Sequence, residues 1–292
     1  MLVQTASSEL PLLVFTLLVP LSIVSLALVA FVRGFLPAEG DATASSKKVD
    51  VLSVIAVGLM LIGLVASFLH LGAPIHASGM LNKLGTSPLS NEIAVAGASI
   101  FLAVVYWVFN LVKHPSAGMQ KVFSLILLAC GLLTALFTGL AYAMPTIPTW
   151  DTPYATMSQL GLALLGGASL AAAILSLANY ETGRKTETLL FAIGIVGCVL
   201  MIASVFLQGS VAGAALSSDG TTLASTMSDY NAFSLVAIAL ALVGMVAWLL
   251  GVLKMKGSSR GATVSIGFVL ILIALVLFRI CYYGIYLNVG LL

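Results

Sequence analysis

His70, His76, Lys83, Asn91 and Glu92 all fall in one stretch, HLGAPIHASGMLNKLGTSPLSNEI (His70–Ile93), of a protein that is otherwise poor in titratable groups. Quinol oxidation releases two electrons and two protons. It needs a hydrogen-bond partner for each ring oxygen and proton acceptors that work near neutral pH. Histidine titrates there unperturbed, and a partly buried carboxylate can be moved there. His70 and Glu92 are therefore the candidate catalytic pair. A plainer reading of each stays open: an interfacial histidine bonded to a loop, and a glutamate that serves the start of a helix behind a Ser90 N-cap. His76, and His114 in a Lys-His-Pro stop, read as interfacial residues.

A second group lies near the end of the sequence, in FRICYYGIY. Arg279, Tyr282, Tyr283 and Tyr286 are spaced i, i+3, i+4 and i+7 and share one helical face. Tyrosines alone would suit an aromatic belt, but an arginine within a span faces protein or a wet cavity. Arg279 could pair with Glu92 or approach a quinone oxygen. Thr134, Thr138 and Tyr142 form a further row, read chiefly as packing glue between helices, with Tyr142 a candidate quinol contact. Gln208 and Gly209 close a span on the same side.

The elements that must position these residues are membrane helices. Of the 292 residues, 61% are hydrophobic and 8% charged, whereas a water-facing domain carries roughly a quarter charged residues. About 20 apolar residues cross a hydrocarbon core of about 30 Å. Eight runs qualify: Leu10–Arg33, Val49–Leu69, Asn91–Lys113, Val122–Ala143, Tyr154–Ala178, Thr188–Gln208, Tyr230–Leu253 and Ala262–Leu287. The expected fold is an all-α membrane protein, a single domain over residues 1–292 built as a bundle of eight transmembrane helices. The first run is too long for a secretory signal and lacks a basic segment before it, so it is expected to remain as helix one.

Ten of the twelve basic residues fall in the connections one–two, three–four, five–six and seven–eight. Lys83 alone lies in the opposite set, and Arg279 within the last span. The positive-inside rule then puts both termini and the His70–Glu92 segment outside. The inner polar groups read as ordinary solvated anchors. Cys130, Cys198 and Cys281 sit in different spans without ligand spacing, so no iron–sulfur cluster is expected in this protein. Three histidines without a facing pair at one depth argue against haem.

The HLG-x-P…LSNE block resembles the membrane anchor subunit of dimethyl sulfoxide reductase, the DmsC family. ELPLLVFT from Glu9, IPTW (Ile147–Trp150), LQG (Leu207–Gly209) and R-x-x-Y-Y-G (Arg279–Gly284) look similar as well. The resemblance implies an eight-helix anchor that binds and oxidises menaquinol. Electrons would pass to a four-cluster ferredoxin-like iron–sulfur subunit and on to a molybdopterin catalytic subunit, both on the extracytoplasmic face of a bacterial or archaeal cytoplasmic membrane. It implies His70 and Glu92 as quinol-site residues and matches Arg279 to a basic position near the family's end. His76, where the family is often basic, and Tyr286, where a histidine can occur, depart from the pattern. Polysulfide reductase-type (NrfD) anchors share the plan with less match. A secondary transporter is the reading from another class, but no internal repeat or midplane polar cluster supports it. A passive anchor without a quinol site is the third.

Overall fold

The computed structural model describes residues 2–36, 43–70, 79, 82–215 and 222–287; of Thr43 and His70 it describes the backbone alone. Among these residues eight helices are long and apolar enough to cross a membrane. In order the helices are α1 (Leu2–Ser8), α2 (Leu10–Phe35), α3 (Thr43–Leu52), α4 (Val54–His70), α5 (Pro88–Lys113), α6 (Ala117–Ala141), α7 (Pro153–Leu177), α8 (Arg184–Ala214), α9 (Ala224–Lys254) and α10 (Gly257–Gly284). The second span is α3 and α4 together, interrupted by a turn at Ser53.

α2 and α7 are buried along most of their length and form the centre of the bundle. A helix that is hydrophobic all round belongs in a core, and α2 packs on α4, α6 and α7. The other spans each leave a flank of large apolar side chains exposed, such as Phe101, Val112, Val199, Phe206, Leu235 and Leu253. With no hydrophobic drive between helices in lipid, close approach depends on small residues. The α9–α10 crossing shows this reciprocally: a Cβ on Gly244 would lie 2.8 Å from the Gly267 carbonyl oxygen, and one on Gly267 would lie 2.7 Å from that of Gly244.

Several boundaries differ from those expected. α1 is an additional helix; it turns into α2 through Glu9, and its Leu2 is buried at the end of α10 against Gly284. α8 continues to Ala214, past Gln208, and α9 begins before Tyr230, because polar residues extend a helix beyond the apolar run without ending it. α5 opens at Pro88, and its N-cap is Ser87, whose Oγ accepts from Ser90 N at 3.4 Å, rather than Ser90. Proline is well placed at a first helical position, and the shift moves Glu92 out of the first turn.

The reading of the basic-residue-rich end as plain solvated anchors is also corrected. Arg33, at the end of α2, and Asp50, in α3, form a buried ion pair at 2.5 Å, with side chains 8% and 2% exposed. Arg33 also donates to Asn110 Oδ1 (2.9 Å), Gln120 Nε2 donates to the same oxygen (2.6 Å), and Tyr106 donates to Gln120 (3.0 Å). Trp107 donates to the Asp50 carbonyl (3.0 Å). The half-exposed His114 has Nδ1 3.3 Å from Asp50 Oδ2, close enough to pair when protonated but not aligned for a hydrogen bond. This cluster ties α2, α3, α5 and α6 together at one end.

Removing one member of a buried ion pair leaves the other charge uncompensated, at a cost of about 3 kcal/mol or more. Asp50→Ala is therefore expected to lower the thermal unfolding midpoint of the detergent-solubilised protein by several degrees. Lys47→Ala, one turn away and exposed, is expected to leave the midpoint unchanged.

Candidate functional site

At the opposite end of the bundle a second polar cluster is built around Arg279, which is 2% exposed. A guanidinium at this depth must be satisfied by protein. Its Nη2 donates to Thr16 Oγ1 on α2 and to Tyr283 Oη on its own helix, both at 2.8 Å. Gln159 on α7 supplies the next partner. With the side-chain amide oriented to suit its neighbours, Oε1 accepts from both Nη atoms at 3.1 Å and the amide nitrogen donates to the Thr16 carbonyl at 3.2 Å. The guanidinium carbon lies 4.6 Å from the ring centroids of both Tyr282 and Tyr283, within cation–π range.

Tyr283 passes the network on by donating to Tyr142 Oη at 2.9 Å, where α6 ends. Trp150, of the IPTW connection, stacks on Tyr282 with centroids 5.5 Å apart and donates Nε1–H to the Tyr282 carbonyl (3.0 Å). Thr149 donates to the Ile285 carbonyl (2.7 Å), and Gln208 donates to the Thr149 carbonyl. The Trp150 and Thr149 bonds satisfy carbonyls at the end of α10 that its helix leaves unpaired. The IPTW and LQG segments therefore meet in space and hold the α10 terminus over the cluster.

Glu92 comes to this end from α5 and is 4% exposed. It is one full turn inside the helix, so the first-turn role for its carboxylate does not apply. Thr138 on α6 and Arg279 on α10 are near enough to act on it. No ion pair joins Glu92 to Arg279 among the described residues; the guanidinium spends its bonds on Thr16, Tyr283 and Gln159. Glu92 Oε1, Thr138 Oγ1, Arg279 Nε and Tyr282 Oη are all buried without a hydrogen-bond partner. Buried polar atoms are nearly always paired with protein, water or a ligand, so four orphans within one cluster mark it as a place for an additional polar group. A crevice with room for little more than a water, about 20 Å³, adjoins Arg279 and Tyr282 on their α8–α9 side, lined by Ser158, Ser204, Gln208 and Tyr230.

The structure thus brings together Glu92, Arg279, Tyr282, Tyr283 and Tyr142 from separate parts of the sequence. Tyr286 lies past α10, 38% exposed, with its ring edge on Trp150 at 5.3 Å. Thr134 is packing glue, its hydroxyl bonded to Ser99 Oγ at 3.1 Å, but Thr138 belongs to the Glu92 cluster. Asn91 closes the approach to α5 by accepting from Gly85 N at 2.7 Å, and Lys83 is exposed. His70 is the last residue of α4, and its side chain lies outside the described residues, as does His76 with the Gly72 and Pro74 turn. Residue spacing does not single out Thr16 and Gln159. Thr16 is a single polar residue in an otherwise apolar run, the signal that marks functional positions within a span, whereas Gln159 stands beside Ser158 near the start of α7 and carries no such mark.

The model of the DMSO reductase anchor subunit (DmsC) family matches residues 3–285. The anaerobic dimethyl sulfoxide reductase chain YnfH of Escherichia coli (strain K12) is 30% identical, over 80% of this protein and 80% of its own length. A second anaerobic dimethyl sulfoxide reductase polypeptide of the same organism gives the same identity and the same coverage. A sulfite dehydrogenase subunit of Allochromatium vinosum is 33% identical over 49% of this protein and 46% of its own length. The match runs across all eight membrane-length helices and both clusters, and the protein belongs to the DmsC family of membrane anchor subunits of DMSO reductase-type complexes.

Proposed function

We propose that this anchor oxidises a quinol, menaquinol by resemblance, at the Glu92–Arg279 cluster. The observation that carries the reading is the buried Glu92 carboxyl oxygen without a partner, set among three further orphaned polar atoms. A quinol hydroxyl can donate to Glu92 Oε1. Arg279 Nε and the Tyr282 hydroxyl offer donors to ring oxygens. Glu92 takes one proton as the quinol loses two electrons and two protons, and His70, at the end of the helix that leads into the loop before α5, is assigned the other. The electrons leave to an iron–sulfur subunit docked over this end, and a molybdopterin subunit reduces the terminal acceptor. Both protons and both electrons exit on one face, taken as extracytoplasmic from the Lys and Arg distribution. Two relatives that match over 80% of the sequence are named as reductase components, which favours quinol oxidation over quinone reduction in this protein.

Gln159 and Thr16 are positioning residues: they fix the guanidinium so that its free edge and the tyrosines keep their orientation without a carboxylate partner. That leaves Glu92 unneutralised by a direct ion pair and able to accept a proton.

Three outcomes follow from this arrangement. Glu92→Gln keeps the shape and removes the base, so quinol-dependent reduction by the assembled complex should fall on the order of 100-fold. Reduction driven by an artificial dye donor should persist; unchanged quinol turnover would reject the role. Gln159→Leu should cost about tenfold in quinol-dependent rate with a raised KM for quinol, since one good set of hydrogen bonds to a charged group is lost. A KM at the wild-type value would remove Gln159 from the site. Because charge does not cross the membrane in such a step, a potential-sensitive dye in proteoliposomes should register no large signal during turnover.

A further inference from the structure

A cavity of about 540 Å³ lies at the other end of the bundle, between the α7–α8 turn and the α9–α10 turn. It is built by backbone as well as side chains: Asn179 (φ 52°) and Gly257 (φ 54°) both take the left-handed conformation that bends the two turns around it. We propose that this cavity binds the phosphate headgroup of an anionic phospholipid.

The charge around the cavity is lopsided. Lys256 and Arg260 line it together with Glu181, and Arg184, Lys185 and Lys254 lie at the same helix ends. Glu187 is the other acid, and it is already engaged: Arg260 Nη2 pairs with Glu187 Oε1 at 2.8 Å and donates to Thr182 Oγ1 at 3.1 Å. These bonds hold the guanidinium in place on one edge. Lys256 is exposed and free to close over a bound anion. A fixed guanidinium beside a mobile ammonium suits a phosphate diester.

Depth selects the source of that phosphate. α7 ends at Leu177, α8 begins at Arg184, α9 ends at Lys254 and α10 begins at Gly257, so the cavity sits at the level where apolar spans give way to headgroups. Leu177, Leu250 and Leu253, just inside these helix ends, are exposed and offer an apolar shelf to acyl chains. Basic pockets between membrane helices at this depth hold anionic headgroups, and each nearby Lys or Arg adds to the attraction. A soluble anion would use the cations and gain nothing from the leucines.

The test uses the full-length protein in neutral detergent, with phosphatidylglycerol, phosphatidylcholine or inorganic phosphate added, followed by thermal unfolding and native mass spectrometry. Phosphatidylglycerol should raise the unfolding midpoint and remain bound at one copy per protein, whereas phosphatidylcholine should do neither. Lys256→Glu, at an exposed helix N-cap, should unfold at the wild-type temperature without lipid and bind phosphatidylglycerol roughly tenfold more weakly; Lys256→Gln should fall between the two. Wild-type binding by Lys256→Glu, equal retention of phosphatidylcholine, or equal protection by inorganic phosphate alone would each overturn the proposal.

Discussion

A guanidinium does not lose its charge inside a protein, so an arginine buried in an apolar span obliges its neighbours to supply acceptors and aromatic faces. Arg279 makes that demand at one end of the bundle. Thr16 from α2, Gln159 from α7 and Tyr283 from α10 answer it with hydrogen bonds, and Tyr282 and Tyr283 with their ring faces. Because α2 and α7 are the buried central helices, the charge is anchored to the most enclosed part of the fold. The peripheral helix α5 then brings Glu92 alongside without having to neutralise the arginine. A direct ion pair would have satisfied both groups and left neither for a substrate.

The two ends of the bundle solve the same physical problem in opposite ways. Arg33 is matched with Asp50 in a direct ion pair, and Asn110, Gln120 and Tyr106 extend the network, so that end joins helices through a paired charge, with one oxygen, Asp50 Oδ2, left without a hydrogen bond. At the Arg279 end the acid and the base are close but unpaired, and four polar atoms lack partners. An unpaired buried polar atom is costly, and such a cost persists where function requires it. The contrast within one protein distinguishes a structural charge pair from a candidate site better than either cluster would alone.

Much of this is legible from residue type and spacing. Eight apolar runs correspond to eight spans, and the i, i+3, i+4 spacing of Arg279, Tyr282 and Tyr283 puts them on one buried face, as found. The HLG-x-P…LSNE and IPTW segments carry the family resemblance. What spacing cannot give is which helices become neighbours. Gln159 and Thr16 reach Arg279 from distant parts of the sequence, Thr16 across 263 positions, and Asp50 meets Arg33 only because α3 brings it to the end of α2. Charge counting treats Arg33 as one more loop cation, since a partner in another helix leaves no local mark. The N-cap expected at Ser90 lies instead at Ser87, because proline is well placed at the first helical position.

Glu92 is the group proposed to receive a proton from bound quinol. Infrared difference spectroscopy of the membrane-embedded protein, recorded as a menaquinol analogue is added, reads that directly through carboxyl C=O stretching. A carboxyl band that changes on addition in the wild type and is missing in Glu92→Gln is the predicted result. A carboxyl signal that survives the substitution unchanged would contradict the account.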